Sequence, residues 1–203
     1  MKALYVTDRE AVGEMRFRAV LDRLAAAPEL SVQLRERETT DMEVLRQARA
    51  ARRVLGPGVP LYVHRRFDIA LAARADGVHL PASGLPCEAV RRKTPRGFRI
   101  GVSTHAASEA AGAIAAGADL VVIGPIFETP SKRAYGPPLG PGALAGLPRL
   151  SEHGAEIYAI GGIDEERLPE LEPYRDRICG VAAIRMFQEA SDARETVERL
   201  AAR

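Results

Sequence analysis

Three things are scarce in this 203-residue chain: cysteine, net charge and long apolar runs. Two cysteines, Cys87 and Cys179, stand far apart in the chain. They form no metal-ligand spacing and no disulfide framework, and free thiols fit a reducing cytoplasm. The net charge is +2, with 29 Lys+Arg set against 27 Asp+Glu. The two signs are interspersed, which leaves no basic stripe for a nucleic acid. No apolar run has the length of a bilayer span, so no membrane partner is expected. The opening "MKALYVTDRE" carries neither the apolar core nor the cleavage site of a targeting peptide. What the chain does have is a 46% hydrophobic, 28% charged composition, enough for a packed core. Its length fits one domain over residues 1–203, expected in the cytoplasm.

Short apolar runs recur: Ala3–Val6, Leu30–Leu34, Pro60–Val63, Gly77–Leu80, Phe98–Val102, Leu120–Ile123, Ile157–Ile160 and Ile178–Ile184. They lack alternating polar residues, the mark of strands buried on both faces of a parallel sheet. Stretches with helical spacing lie between them. Thr40 with Glu43 reads as a capping box, Ala106–Ala116 as a small-residue helix stopped by Gly117, and Asp164 as the N-cap of a helix opening with Glu165 and Glu166. Eight strands alternating with helices predict an α/β fold, the (β/α)8 TIM barrel. The rival open sheet predicts a glycine-rich turn after the first strand, and "VTDREAVG" has none.

In such a barrel the chemistry sits at the C-terminal ends of the strands. After the second run, Gln33, Arg35 and Arg37 alternate, which puts them on one face of an extended segment. The third run ends in His64 and Arg65, and the fifth in Ser103, Thr104 and His105. Two histidines at neighbouring strand ends beside arginines are candidates for acid–base work, against the plainer reading of satisfied surface groups. His79, inside the fourth run, reads as structural, and His153 as a helix-end residue. The sixth run leads into a long loop with Thr129, Ser131, Lys132 and Arg133 bracketed by prolines. That is either a flap over an anion or a solvated loop. Gly161 and Gly162 end the seventh run and Arg185 the eighth. Barrels commonly hold a phosphate on these two loops through backbone N–H groups, with Arg185 adding charge; the alternative is that the glycine pair only makes a turn.

The segments "LYVTDRE", "QLRER", "FDIALAARADGVHL", "GVSTHAASEAAGAIAAGADLVVIGPIFETPSK", "PPLG" and "YAIGGI" together resemble the thiamin phosphate synthase/TenI family, in order and over nearly the whole chain. The resemblance implies a homodimeric (β/α)8 barrel that acts in vitamin B1 assembly on small phosphorylated ligands, a phosphorylated thiazole or thiamin phosphate. The synthase joins an aminopyrimidine diphosphate to a thiazole phosphate, with magnesium assisting the departure of pyrophosphate. Carried over residue by residue, Gln33, Arg35 and Arg37 match its "QxR" strand end (Arg37 for a lysine). Ser103 matches its strand-5 serine, and Thr129, Ser131 and Lys132 match its pyrophosphate loop. Gly161 and Gly162 match its phosphate glycines.

The departures cluster after the third and fourth runs. Where synthases read "ND" and "GQ-acidic-D", this chain has His64-Arg65 and Pro81-Ala82-Ser83-Gly84. Both metal-ligand aspartates are replaced, one by Arg65 and one by Gly84. The "HLP" run looks more like the TenI branch, which tautomerises a thiazole carboxylate phosphate. That reaction needs an acid–base group and no metal, although the histidine of that step stands where this chain has Pro125. The leading expectation is therefore a metal-independent TenI-type tautomerase, an isomerase without cofactor, with His64, His105 and Ser103 as catalytic candidates. In it Arg65 holds the carboxylate of the ligand. A synthase that requires magnesium, or that uses Arg65 as a substitute cation, and a non-catalytic binder of thiazole phosphate or thiamin phosphate are the alternatives.

Overall fold

The computed structural model describes residues 1–36, 39–129 and 136–203. It is a (β/α)8 TIM barrel: eight parallel strands closed in chain order. They are β1 Lys2–Val6, β2 Leu30–Leu34, β3 Leu61–His64, β4 Gly77–Leu80, β5 Arg99–Thr104, β6 Leu120–Ile123, β7 Glu156–Ile160 and β8 Gly180–Ala183. Each overlaps an apolar run read from the sequence. By packing, the chain divides into two compact units, one comprising Met1–His79, Thr94–Arg99 and Ala183–Arg203, the other Leu80–Lys93 and Ile100–Ala182.

In the first unit β1 to β4 pair in register, with Val6 opposite Gln33, Gln33 opposite Tyr62 and His64 opposite His79. Helices α1 (Arg9–Leu24), α2 (Asp41–Leu55) and α3 (Phe67–Ala72) fill the connections. Asp8 caps α1 by accepting from the Ala11 N–H, and Thr40 caps α2 by accepting from the Glu43 N–H at 3.3 Å. The reciprocal arm of a capping box is not made: the Glu43 carboxylate takes Arg46 and Gln47 instead. After β8 come the short α6 (Arg185–Gln188) and α7 (Ala193–Ala201), and the ammonium of Met1 donates to the Leu200 carbonyl.

In the second unit β5 to β8 pair likewise, with Ser103 opposite Val122 and Ile123 opposite Ala159. Here α4 (Cys87–Arg91) and α5 (Ala107–Ala115) are α-helices, and α5 stops at Gly117 in the left-handed region, φ 87°. The described residues after β6 and β7 form 3-10 turns instead, at Pro141–Gly146, Leu150–Glu152 and Leu168–Tyr174. The helix expected from Asp164 is thus replaced by a turn. The Asp164 carboxylate accepts from the Arg167 N–H, and Pro169 and Pro173 withhold the N–H groups an α-helix would use.

An aspartate stands just before β4 and again just before β6, and each ties down the start of the preceding strand. Asp76 accepts from the Leu61 N–H at 2.7 Å and pairs with Arg52. Asp119 accepts from the Ile100 N–H at 2.7 Å and from Arg91 at 2.5 Å. Asp119→Ala leaves the N–H of Ile100, the second residue of β5, without its acceptor, and urea melts should show a loss of about 1–2 kcal/mol. Asp119→Asn keeps an acceptor, and since the Arg91 pair is a third exposed, its smaller loss should measure mainly that screened charge.

Candidate functional site

The third strand answers why its end carries a histidine and two cations. Arg66 is structural: its guanidinium grips Asp68 in the first turn of α3 and Asp41 at the start of α2. Those carboxylates hold its pKa above the ordinary arginine value. Arg65 is exposed, and its backbone is left-handed, φ 64°, where a side chain is strained. Its N–H donates to the His79 carbonyl at 2.8 Å, which locks that conformation.

Behind it lies a polar cluster. Gln33 is 3% exposed, and its carboxamide nitrogen lies 3.4 Å from Nδ1 of the half-buried His64. His79, 1% exposed, is the register partner of His64. Burial first, then the neighbouring His64 and Arg35, push the His79 pKa down to about 3, so this imidazole is neutral. It is the structural histidine expected from its position. Arg35 is half-buried, and its backbone N–H donates to the Thr7 hydroxyl at 2.9 Å. Thr7, wholly buried, donates in turn to Glu36 at 2.8 Å. Burial raises the Glu36 pKa, and the Thr7 hydroxyl and Arg9 oppose the rise. Thr7 and Glu36 were not read as site residues from sequence. The available signal was the period-2 alternation of "QLRER", which puts Glu36 on the face opposite Gln33 and Arg35. Arg185 begins α6 and is exposed. That helix is anchored by Gln188, whose carboxamide donates to the Tyr5 hydroxyl and the Asp8 carbonyl. Arg37 lies outside the described residues.

In the second unit Ser103 is half-buried near the end of β5, while the Thr104 hydroxyl turns to the Val122 carbonyl. His105 is exposed, and its partner is Glu109 one turn along α5, which accepts from the His105 N–H at 2.7 Å and lies 3.8 Å from Nδ1. Gly161 and Gly162 have φ of 103° and 65°. The chain after β6 runs against them, with the Ile126 N–H on the Ile160 carbonyl and the Phe127 N–H on the Gly161 carbonyl. A Cβ on Gly161 would meet Pro125 at 2.6 Å, and one on Gly162 would meet the Glu128 carbonyl at 2.6 Å. These glycines are therefore required by the neighbouring loop whether or not a phosphate binds. Arg167 covers the pair, donating to the Gly162 carbonyl at 2.6 Å and stacking 5.1 Å over the Phe127 ring. Thr129 is half-buried in the same loop, whereas Ser131, Lys132 and Arg133 lie outside the described residues. His153 stands at the end of the 3-10 turn Leu150–Glu152, where a helix-end residue was expected, and its ring accepts from the Ala155 N–H.

The family described as Thiamine monophosphate synthase matches residues 3–187. The chain belongs to this thiamine monophosphate synthase/TenI family. A Methanoculleus marisnigri thiamine-phosphate synthase is 41% identical over 83% of this chain and 80% of its own. A Geobacter sulfurreducens protein, provisionally named a thiamine-phosphate synthase, is 40% identical over 97% and 91%. The solved structure of a Pyrococcus furiosus thiamine phosphate pyrophosphorylase superposes with a TM-score of 0.82 at 26% identity, covering 99% of this chain and 94% of that one.

Within this family, magnesium is the cofactor to test against the residues present. Mg²⁺ takes hard oxygen ligands in a near-octahedral shell. The two strand-end positions that would supply aspartates hold the Arg65 cation and Gly84. A Cβ on Gly84 would meet Pro81 at 2.9 Å, so the turn itself is shaped around a residue without a side chain. Among the described residues no group of three or more His, Cys, Asp or Glu is placed to hold a metal. These residues do not fit a carboxylate-held magnesium at those strand ends. No described helix is long and apolar enough to cross a membrane.

Two measurements check this geometry. Gly162→Ala, strained at φ 65° and pressed on the Glu128 carbonyl, should destabilise the fold by about 1–3 kcal/mol even in ligand-free buffer, read by thermal unfolding. For pH, a histidine with a folded pKa near 3 against the usual 6.5 stabilises the fold while neutral. That contribution is whole above about 6.5 and is lost as pH falls toward 3, at up to about 1.4 kcal/mol per pH unit. Urea midpoints measured from pH 7 to pH 4 should fall, and a His79→Gln variant should flatten the slope.

Proposed function

We propose that this chain is a thiamine-phosphate synthase in which arginine charge serves the leaving pyrophosphate. Family membership over nearly the whole chain supports the reaction class, and relatives at 40–41% identity carry the synthase name. The observation that carries the arginine reading is Arg65, whose backbone is fixed by its N–H bond to the His79 carbonyl at a strand end where a metal-binding carboxylate is expected. In the reaction, the C–O bond between the pyrimidine methylene and its diphosphate breaks, and the electron pair leaves with pyrophosphate. The thiazole nitrogen's lone pair then forms the C–N bond to that methylene. Arg35 and Arg65 offset the charge that grows on the departing oxygens. Backbone N–H groups at Gly161 and Gly162, and separately Arg185, are the proposed contacts of substrate phosphate. In the second unit Ser103, His105 and Thr129 are proposed as polar contacts of substrate. A homodimer working in the cytoplasm completes the reading.

A tautomerase acting on a thiazole carboxylate phosphate is the second reading. It is favoured by the loss of both aspartates, whose places are taken by Arg65 and Gly84.

Product formation from the aminopyrimidine diphosphate and thiazole phosphate, followed with magnesium and with chelator, tests the proposal. Thiamin phosphate should form under both conditions. Arg65→Ala should lower kcat/KM roughly 10- to 100-fold, the size of one charge-assisted hydrogen bond. No product, with tautomer conversion seen instead by NMR, transfers the chain to the second reading. Full activity of Arg65→Ala with strict magnesium dependence removes the substitute-cation role.

A further inference from the structure

We propose that Gln33 is a positioning residue that holds His64 as the neutral tautomer protonated on Nε2, so that His64 meets its ligand as a hydrogen-bond donor and not as a base. The contact sets the direction. A carboxamide nitrogen carries only donors, and it lies 3.4 Å from Nδ1, so Nδ1 must offer its lone pair and the ring proton resides on Nε2. Gln33 is held for this task. It is 3% exposed, it lies in β2 in register with Tyr62, and its carbonyl accepts from the Thr7 N–H.

Gln33, His79 and Arg35 oppose the charged ring. An imidazolium at position 64 would set an N–H against the N–H of the Gln33 amide. It would also stand with His79 as its register partner and with Arg35 on the Gln33 face of the strand. His79 keeps its own charge off because it is buried, which leaves a neutral imidazole beside His64. The strand ends thus offer one N–H donor from His64, with Arg35 on the Gln33 face of its strand and Arg65 following His64 in the chain.

Such a donor recognises an acceptor on an anionic ligand, whether a diphosphate oxygen, a carboxylate or an unprotonated ring nitrogen. It does not remove a ring proton. The ligand class rests on the proposed function; the tautomer does not.

The chain has four histidines, so long-range proton–nitrogen NMR of protein labelled with ¹⁵N-histidine resolves each ring at neutral pH, with His64→Gln giving the assignment. The expected spectrum shows His64 with unprotonated Nδ1 and protonated Nε2. Gln33→Glu replaces the donor by an acceptor and should move the proton onto Nδ1 or protonate both nitrogens. Gln33→Met, of similar size and without hydrogen bonds, should let the two His64 nitrogens drift toward averaged positions. Unchanged His153 signals and far-UV circular dichroism would show that the variants fold. A wild-type His64 protonated on Nδ1, or one pattern shared by wild type, Gln33→Glu and Gln33→Met, overturns the proposal. Thiazole phosphate added to the same wild-type sample should shift the His64 Nε2–H. If that signal stays put while the tautomer responds to Gln33, the ligand reading fails and the role of Gln33 stands.

Discussion

Burial of the parallel strands on both faces is the constraint on which everything else depends. Every residue of β2, β4, β6 and β8 is buried. Inside such a strand a polar side chain must be neutral or partnered, because an isolated buried charge costs far more than any single contact returns. His79 obeys the rule by giving up its charge and Gln33 by being an amide. Groups that keep a charge are displaced to the strand ends. Those ends become chemically dense because the rest of each strand cannot be.

The arginines show how location, not number, decides what a cation does. Arg52 and Arg91 serve strand starts, reaching the Val59 and Gly117 carbonyls as well as Asp76 and Asp119. Arg177 donates to the Leu147 carbonyl, Arg167 to the Gly162 carbonyl and Arg16 to those of Gln188 and Ala190. These guanidiniums act as rigid forks that satisfy carbonyls in the turns between elements and at the ends of short helices. Arg65 shares its left-handed backbone and its exposure with Arg74, and what sets it apart is its place at the end of β3, beside the polar cluster. A contact between strands holds it there, and strain of this kind persists only where the surroundings over-determine it.

The glycine pair after β7 carries two demands at once. Positive φ and the pressure of the chain after β6 already exclude a side chain. Any phosphate role is added to a turn that packing had made obligatory. The same economy appears in Thr7, whose hydroxyl accepts from the Arg35 backbone and donates to Glu36, so that one buried side chain fixes the backbone of a candidate binding arginine.

By itself the sequence determined the strand pattern, the barrel and the family, because unbroken apolar runs at regular intervals have few other places to go. Its motifs also marked the strand ends at Gln33, His64, Ser103 and Gly161. It could not separate Arg65 from Arg66. Adjacent and identical in type, they differ only in what faces them, namely Asp41 and Asp68 for one and the His79 carbonyl for the other. Nor could it foresee 3-10 turns after β6 and β7, since their prolines break a pattern whose apolar spacing still reads as helical. The pairing of Gln33 with His64, and the silence of His79, arise from residues brought together by strand register. Register is settled by the closing of the sheet, and no local stretch of chain contains it.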